Sequence, residues 1–198
     1  GPMGADWAYG AAYLLGGEIA AKVMNFAFCL LVVALLGAEV RRHYGSLAAV
    51  VAVTLYASIP VMLLETATLF VENALTAFLL GAAVILLRLE EDARVPDVVL
   101  IGLLLGAGLY TKVFAGLYAA CLGVLLLYVL ARSPWGWRTS ARAVLLAVAA
   151  GTVVAAPPYV YAYLVTSNPV FPVFNAIFKS PYFESSVNFI HYRPLVSW

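Results

Sequence analysis

The chain is a succession of long apolar runs separated by short polar breaks. Asp6–Leu15 is short and amphipathic and carries Trp7, Tyr9 and Tyr13. It is too short to cross a bilayer and suits a helix lying in the interface. Gly16-Gly17 breaks the pattern. Glu18–Val40 is then the first spanning run, with its apolar heart at Val23–Ala38 and its end at Arg41-Arg42-His43. Tyr44-Gly45 turns the chain into a second span, Gly45–Leu64, with Pro60 near its far end. Proline is tolerated there where neighbours or water satisfy the freed carbonyl. Leu69–Leu87 is the third span and ends at Arg88. The charged stretch Leu89–Asp97 after it is a short loop in water.

Val98–Ala131 needs a different reading. As one helix it would be about 51 Å long, against a hydrocarbon layer of about 30 Å. Lys112 stands inside it, after Gly102, Gly106 and Gly108. The run is therefore cut into Val98–Tyr110 and Val113–Leu130, with Thr111-Lys112 at the joint. Arg132–Arg142 is a loop whose Trp135 and Trp137 fit an interfacial belt. Ala143–Leu164 is the last span, interrupted by Pro157-Pro158. Thr166–Trp198 is rich in proline, asparagine and aromatics and reads as a surface segment held on the membrane face. The expected division is a helical membrane region over 1–165 and an outer-face segment over 166–198.

Charge supports the cut. Arg41, Arg42, Arg88, Arg94, Arg132, Arg138 and Arg142 supply most of the 11 Lys and Arg, and with these boundaries they fall on one side. The positive-inside rule makes that side cytoplasmic. Were Val98–Ala131 a single span, Arg132 and its neighbours would land outside. The chain start, Glu65, Lys112 and the tail then share the outer face, with Glu72 about one turn deeper.

Composition fixes the class. The 198 residues are 65% hydrophobic and 11% charged, with mean hydropathy +0.99. A soluble domain would be about 25% charged. The fold class expected is all-α, a polytopic transmembrane bundle of about six segments, some short or broken. A net charge of +1 gives no reason to expect nucleic acid. Cys29 and Cys121 lie in apolar runs and read as buried small hydrophobes. No basic start followed by an apolar run marks a signal peptide. The abrupt start near Asp6-Trp7 and the aromatic end at Trp198 read as part of a larger protein.

The candidate chemistry is sparse. Glu65 and Glu72 would lie about 10 Å apart on one helical face. In an outward cavity they could bind a metal ion, orient an acceptor or hold a cation; the simpler reading of Glu65 is a solvated loop acid, and it is favoured. For Glu72, beside Asn73, a functional role and a structural ion pair or hydrogen bond weigh equally. Lys112 could meet a phosphate as a point charge, or snorkel to the headgroups. Its preceding glycines favour a cavity-lining joint. Asn168-Pro169-Val170-Phe171-Pro172 is a rigid bend, which on its residues alone is a helix stop. His191 and Arg193 read as surface residues. There is no phosphate loop, no zinc-spaced set and no Ser-His-Asp order.

Four pieces in order carry a likeness: Ala12–Asn25 (AYLLGGEIAAKVMN), Phe70–Phe78 (FVENALTAF), Gly102–Lys112 (GLLLGAGLYTK) and Ala156–Pro172 (APPYVYAYLVTSNPVFP). The chain resembles the middle of bacterial GT-C-type membrane glycosyltransferases, the group with protein O-mannosyltransferase-like and aminoarabinose-transferase-like enzymes. Glu72 stands where the group usually has Asp, and Ser167 where it has Gly. The resemblance implies a polyprenyl-phosphate sugar donor, transfer on the outer side of a bacterial plasma membrane, and inversion at the sugar. It implies Glu72 as a secondary catalytic acid, Lys112 at the lipid phosphate, and Asn168 with its turn at the cavity mouth; Glu65 is added as a substrate-side residue. The group's main acid lies in an external loop upstream of the matched part, and without that loop activity is not expected. A divalent metal remains an open requirement. The alternatives are a small-solute or lipid transporter and a non-catalytic scaffold whose charges pair.

Overall fold

A computed structural model describes residues 3–182. His191, Arg193 and the rest of the expected outer-face segment beyond Tyr182 lie outside the described residues. Seven helices follow one another: α1 (Gly4–Ala57), α2 (Pro60–Ala67), α3 (Glu72–Leu89), α4 (Val95–Thr111), α5 (Ala115–Arg132), α6 (Trp137–Thr166) and the short α7 (Asn175–Phe178). No strand forms among the described residues. The chain is an all-α, multi-pass membrane protein: α1, α3, α5 and α6 are long and apolar enough to cross a bilayer, and α4 is a shorter apolar helix.

Helix α1 is three helical segments joined by glycine. Gly17 (φ 69°) and Gly45 (φ 85°) adopt left-handed backbone that costs a side-chain-bearing residue energy. The first break folds segment 4–15 back, so that the Tyr9 hydroxyl meets Asn25 at 3.0 Å. On a straight helix those residues would be about 24 Å apart. The second break reverses the chain after segment 18–44. A Cβ at Gly37 would contact Val53 at 3.2 Å, and Asn25 meets the end of α2.

Several boundaries differ from the sequence reading. The second span does not run to Leu64: the helix stops at Ala57 and Pro60 opens α2. Proline lacks the N–H that a continuing helix needs and pushes its predecessor out of helical backbone; Ile59 is extended. Glu65 therefore sits in the last turns of α2 and is partly buried, not in a loop. The third span begins at Glu72, so Glu72 is the first helical residue and not a turn deeper. Arg132–Arg142 is mostly helical, with a connection of only 133–136, and α6 continues through Pro157-Pro158 without interruption. Cys29 is buried as expected, but Cys121 is exposed on the lipid-facing side of α5.

The hairpin forms where charge placed it. Helix α4 ends at Thr111 and α5 starts at Ala115, with Lys112-Val113-Phe114 as the joint. Gly102 and Gly106 of α4 line a groove and also permit a close backbone approach. A Cβ on Gly102 would fall on the Ala147 carbonyl, and one on Gly106 on the Gly151 carbonyl, so they let α4 and α6 cross backbone to backbone. Val98, Ile101, Leu126, Ala143 and Ala147 form the apolar core beside that crossing. At the end near Lys112 the Tyr159 hydroxyl donates to the Leu109 carbonyl at 2.8 Å, satisfying one of the carbonyls that α4 leaves open at its C-terminus. Ser167 ends α6 in left-handed backbone (φ 58°), a conformation that favours glycine.

Candidate active site

Two clusters of charge occupy opposite ends of the bundle. At the arginine-rich end, Glu39 Oε2 accepts from Arg88 and Glu39 Oε1 meets His43 Nε2, each at 3.0 Å. Arg42 pairs with Glu91 across the same end. The other end holds the expected pair: Glu72, first residue of α3, accepts through Oε1 from Lys112 Nζ at 2.5 Å. Glu72 also sits in the first turn of its helix, where the exposed N–H groups favour an anion. The pair is half in solvent, with side chains 30% and 40% exposed. Its second oxygen differs: Glu72 Oε2 is buried and has no hydrogen-bond partner among the described residues. Such an oxygen is costly to leave unpaired.

Glu65 joins this pair electrostatically. Burial first, and the Glu72 carboxylate second, push the Glu65 carboxyl above its ordinary range, and Lys112 pulls it partly back. Glu65, Glu72 and Lys112 thus gather at one end, although they come from three elements. Asn168 belongs to a different arrangement. It is fully buried; its Oδ1 accepts from Val170 N–H at 3.0 Å and its Nδ2 donates to the Val173 carbonyl at 2.9 Å. The side chain expected at the cavity mouth holds the turn after α6. Among the described residues, no group of three or more His, Cys, Asp or Glu is close enough to hold a metal ion.

Two polar residues carry more than the sequence reading assigned. Asn25 is fully buried in the first membrane segment, and Asn73 nearly so. The two N–H groups of the Asn25 amide are shared among the carbonyls of Glu65 (2.9 Å), Thr66 (3.3 Å) and Thr68 (2.5 Å). Its oxygen accepts from the Tyr9 hydroxyl and from Asn73 Nδ2, at 3.0 and 3.1 Å. Asn73 also reaches Thr66 Oγ1 at 3.1 Å. Glu39 is the other omission. The available signal was the same for both, a polar or ionisable side chain within an apolar run, where hydrocarbon demands a partner.

Two cavities flank this end. One, of about 590 Å³, is walled by Trp7, Tyr110, Pro157, Pro158, Tyr161 and Phe171. The other, of about 690 Å³, is an apolar groove between α4, α5 and α6 that runs from Leu126 to Val113 and Tyr159. The sequence model of the dolichyl-phosphate-mannose-protein mannosyltransferase family matches residues 1–169. The chain belongs to that family. No curated protein and no solved structure matches it. As a member of the mannosyltransferase family it is a membrane glycosyltransferase of the GT-C type, which selects the transferase over the transporter and the scaffold.

Proposed function

We propose that this protein transfers a sugar from a polyprenyl-phosphate donor to an acceptor on the outer side of a bacterial plasma membrane. Family membership supports the donor class. The observation that carries the site assignment is the Glu72–Lys112 pair, with one buried and unpartnered carboxylate oxygen, at the end of the bundle opposite the arginines.

Each residue then has a task. The Lys112 ammonium has three donors, and Glu72 takes one of them. The others meet the lipid phosphate and stabilise the charge that grows on it as the sugar leaves. The isoprenoid tail lies in the apolar groove of about 690 Å³, whose outer end at Val113 adjoins Lys112. Glu72 holds the ammonium in place and, as a secondary acidic residue, helps orient the acceptor group beside it. Glu65, close enough to feel both charges, borders the acceptor side. Asn168 shapes the mouth by fixing the turn after α6. The region 166–182 lies on the outer face and 1–165 forms the membrane scaffold.

The test uses the full-length protein in native membranes, with consumption of polyprenyl-phosphate mannose as the readout. Glu72→Gln and Lys112→Met are expected to lower transfer by on the order of 100-fold each, the range seen when a charge-stabilising group is removed. Normal transfer by both variants would sink the site assignment.

A further inference from the structure

The Glu72–Lys112 pair stands on a loop whose shape is not set by the pair itself. Residues 68–71 join α2 to α3, and Glu65 and Glu72 flank that loop. Helix α2 ends at Ala67, so the carbonyls of its last turn have no partner within the helix. Buried away from water, such carbonyls are expensive to leave unpaired. The Asn25 amide, arriving from another segment, supplies the donors: it reaches the carbonyls of Glu65, Thr66 and Thr68. Its oxygen collects Tyr9 from segment 4–15 and Asn73 from the first turn of α3. One fully buried side chain thus ties together both ends of the loop, the interfacial helix and the first span. The Tyr9 hydroxyl also lies 3.3 Å from the Phe70 carbonyl, so its one proton is shared between the loop and Asn25.

We infer that Asn25 is a positioning residue for the proposed site: it fixes the loop 68–71 and so sets where the Glu72 carboxylate stands relative to Lys112. None of its hydrogen bonds goes to a charged atom. Its effect on the site passes through the backbone at Glu65 and through Asn73, which neighbours Glu72 in sequence. The substitution best suited to expose this is Asn25→Leu, which keeps the branched shape, though it is larger, and removes every donor and acceptor. The freed carbonyls then need new partners, and the loop moves to find them. A displacement of about 1 Å is enough to cost on the order of 100-fold in turnover.

The functional meaning rests on the proposed reading of the site, so the primary test reads geometry and not activity. In a Cys29→Ala, Cys121→Ala background, Glu72→Cys and Lys112→Cys are joined by a short bis-methanethiosulfonate reagent. A control pair, Arg42→Cys with Glu91→Cys, is joined at the opposite end. Adding Asn25→Leu is expected to slow joining of the 72/112 pair by about tenfold or more and to leave the control rate unchanged. Unchanged joining of both pairs, or an equal fall in both, overturns the inference. If Asn25→Leu does not fold, Tyr9→Phe removes a single hydroxyl from the network and is held to the same two outcomes, with a smaller fall. A second readout is turnover of polyprenyl-phosphate mannose: Asn25→Leu should lower kcat in the native background and add nothing once Glu72→Gln is present. Normal transfer by Glu72→Gln and Lys112→Met would remove the proposed function while leaving the cross-linking result to stand or fall by itself.

Discussion

The ion cluster at the arginine-rich end makes an asymmetric prediction. Glu39 has a side chain only 11% exposed, whereas its partner Arg88 is 50% exposed. Removing the guanidinium with Arg88→Ala leaves a carboxylate in a nearly dry site with only His43 beside it. An uncompensated buried charge of that kind costs about 3–5 kcal/mol. Removing the other charge with Glu39→Gln leaves Arg88 half in water, able to re-solvate, and the loss falls toward the ~1 kcal/mol of an exposed pair. Combining the two leaves no buried charge, so the double variant should be more stable than Arg88→Ala alone. The measurement is the apparent midpoint of thermal unfolding in detergent. With about 2–4 °C per kcal/mol at this chain length, Arg88→Ala should lie several degrees below Glu39→Gln. Equal midpoints for the two single variants, or a double variant no better than Arg88→Ala, would refute the reasoning.

Two further outcomes follow from the packing and the outer charges. Gly106→Ala puts a methyl group against the Gly151 carbonyl and should cost about 1–3 kcal/mol by overpacking; Gly123→Ala, with nothing within 4 Å of its new Cβ, should be neutral or slightly stabilising, and equal melting of the two variants would contradict the crossing. For Glu65 the sign is set by its upward shift from 4.5: the folded protein resists its ionisation, so its charge is destabilising above the folded value and absent below the unfolded one. Glu65→Gln should therefore raise the midpoint at pH 7 and leave it unchanged near pH 4; a gain of the same size at both pH values would count against the shift.

Much of the membrane architecture could be read from the chain because charge and apolar length answer the same question. The run Val98–Ala131 was too long for one span, and only a break at Lys112 kept the arginines on one side. The joint at Lys112-Val113-Phe114 has that place. The misses share a cause as well. Apolar length does not record where a helix starts inside an apolar run. Pro60 did mark such a point, since its missing N–H ended the helix and opened α2. Nothing as local marked the start of α3 at Glu72. The first turn of α3 is tied to Asn25, 48 residues from its partner Asn73, and no local pattern reveals a contact at that separation. The glycines of α4 were read correctly as permitting close approach. What they approach, the carbonyls of Ala147 and Gly151, is a tertiary fact.

Once the start of α3 is known, the meeting of Glu72 and Lys112 follows from arithmetic. Helix α3 has 18 residues and α4 has 17, so they are about 27 and 26 Å long. A connection of five residues (90–94) returns the chain from one to the other at the arginine-rich end, and the two antiparallel helices therefore finish at the same height. Glu72 opens α3 and Lys112 follows the last residue of α4. Opposite charges are thus delivered to one level, at the end of two helices each a little shorter than a ~30 Å hydrocarbon layer. Each can shed part of its desolvation cost there and still attract the other through a medium drier than water. A pair deeper in the bilayer would be locked together by the cost of separating it; one further out would be screened and weak. Glu72 takes one of the three donors of the Lys112 ammonium, and on the proposed reading the others are left for a phosphate. The tight crossing of α4 on α6 serves the same end: it fixes the height of α4 against a second helix, and with it the height of Lys112.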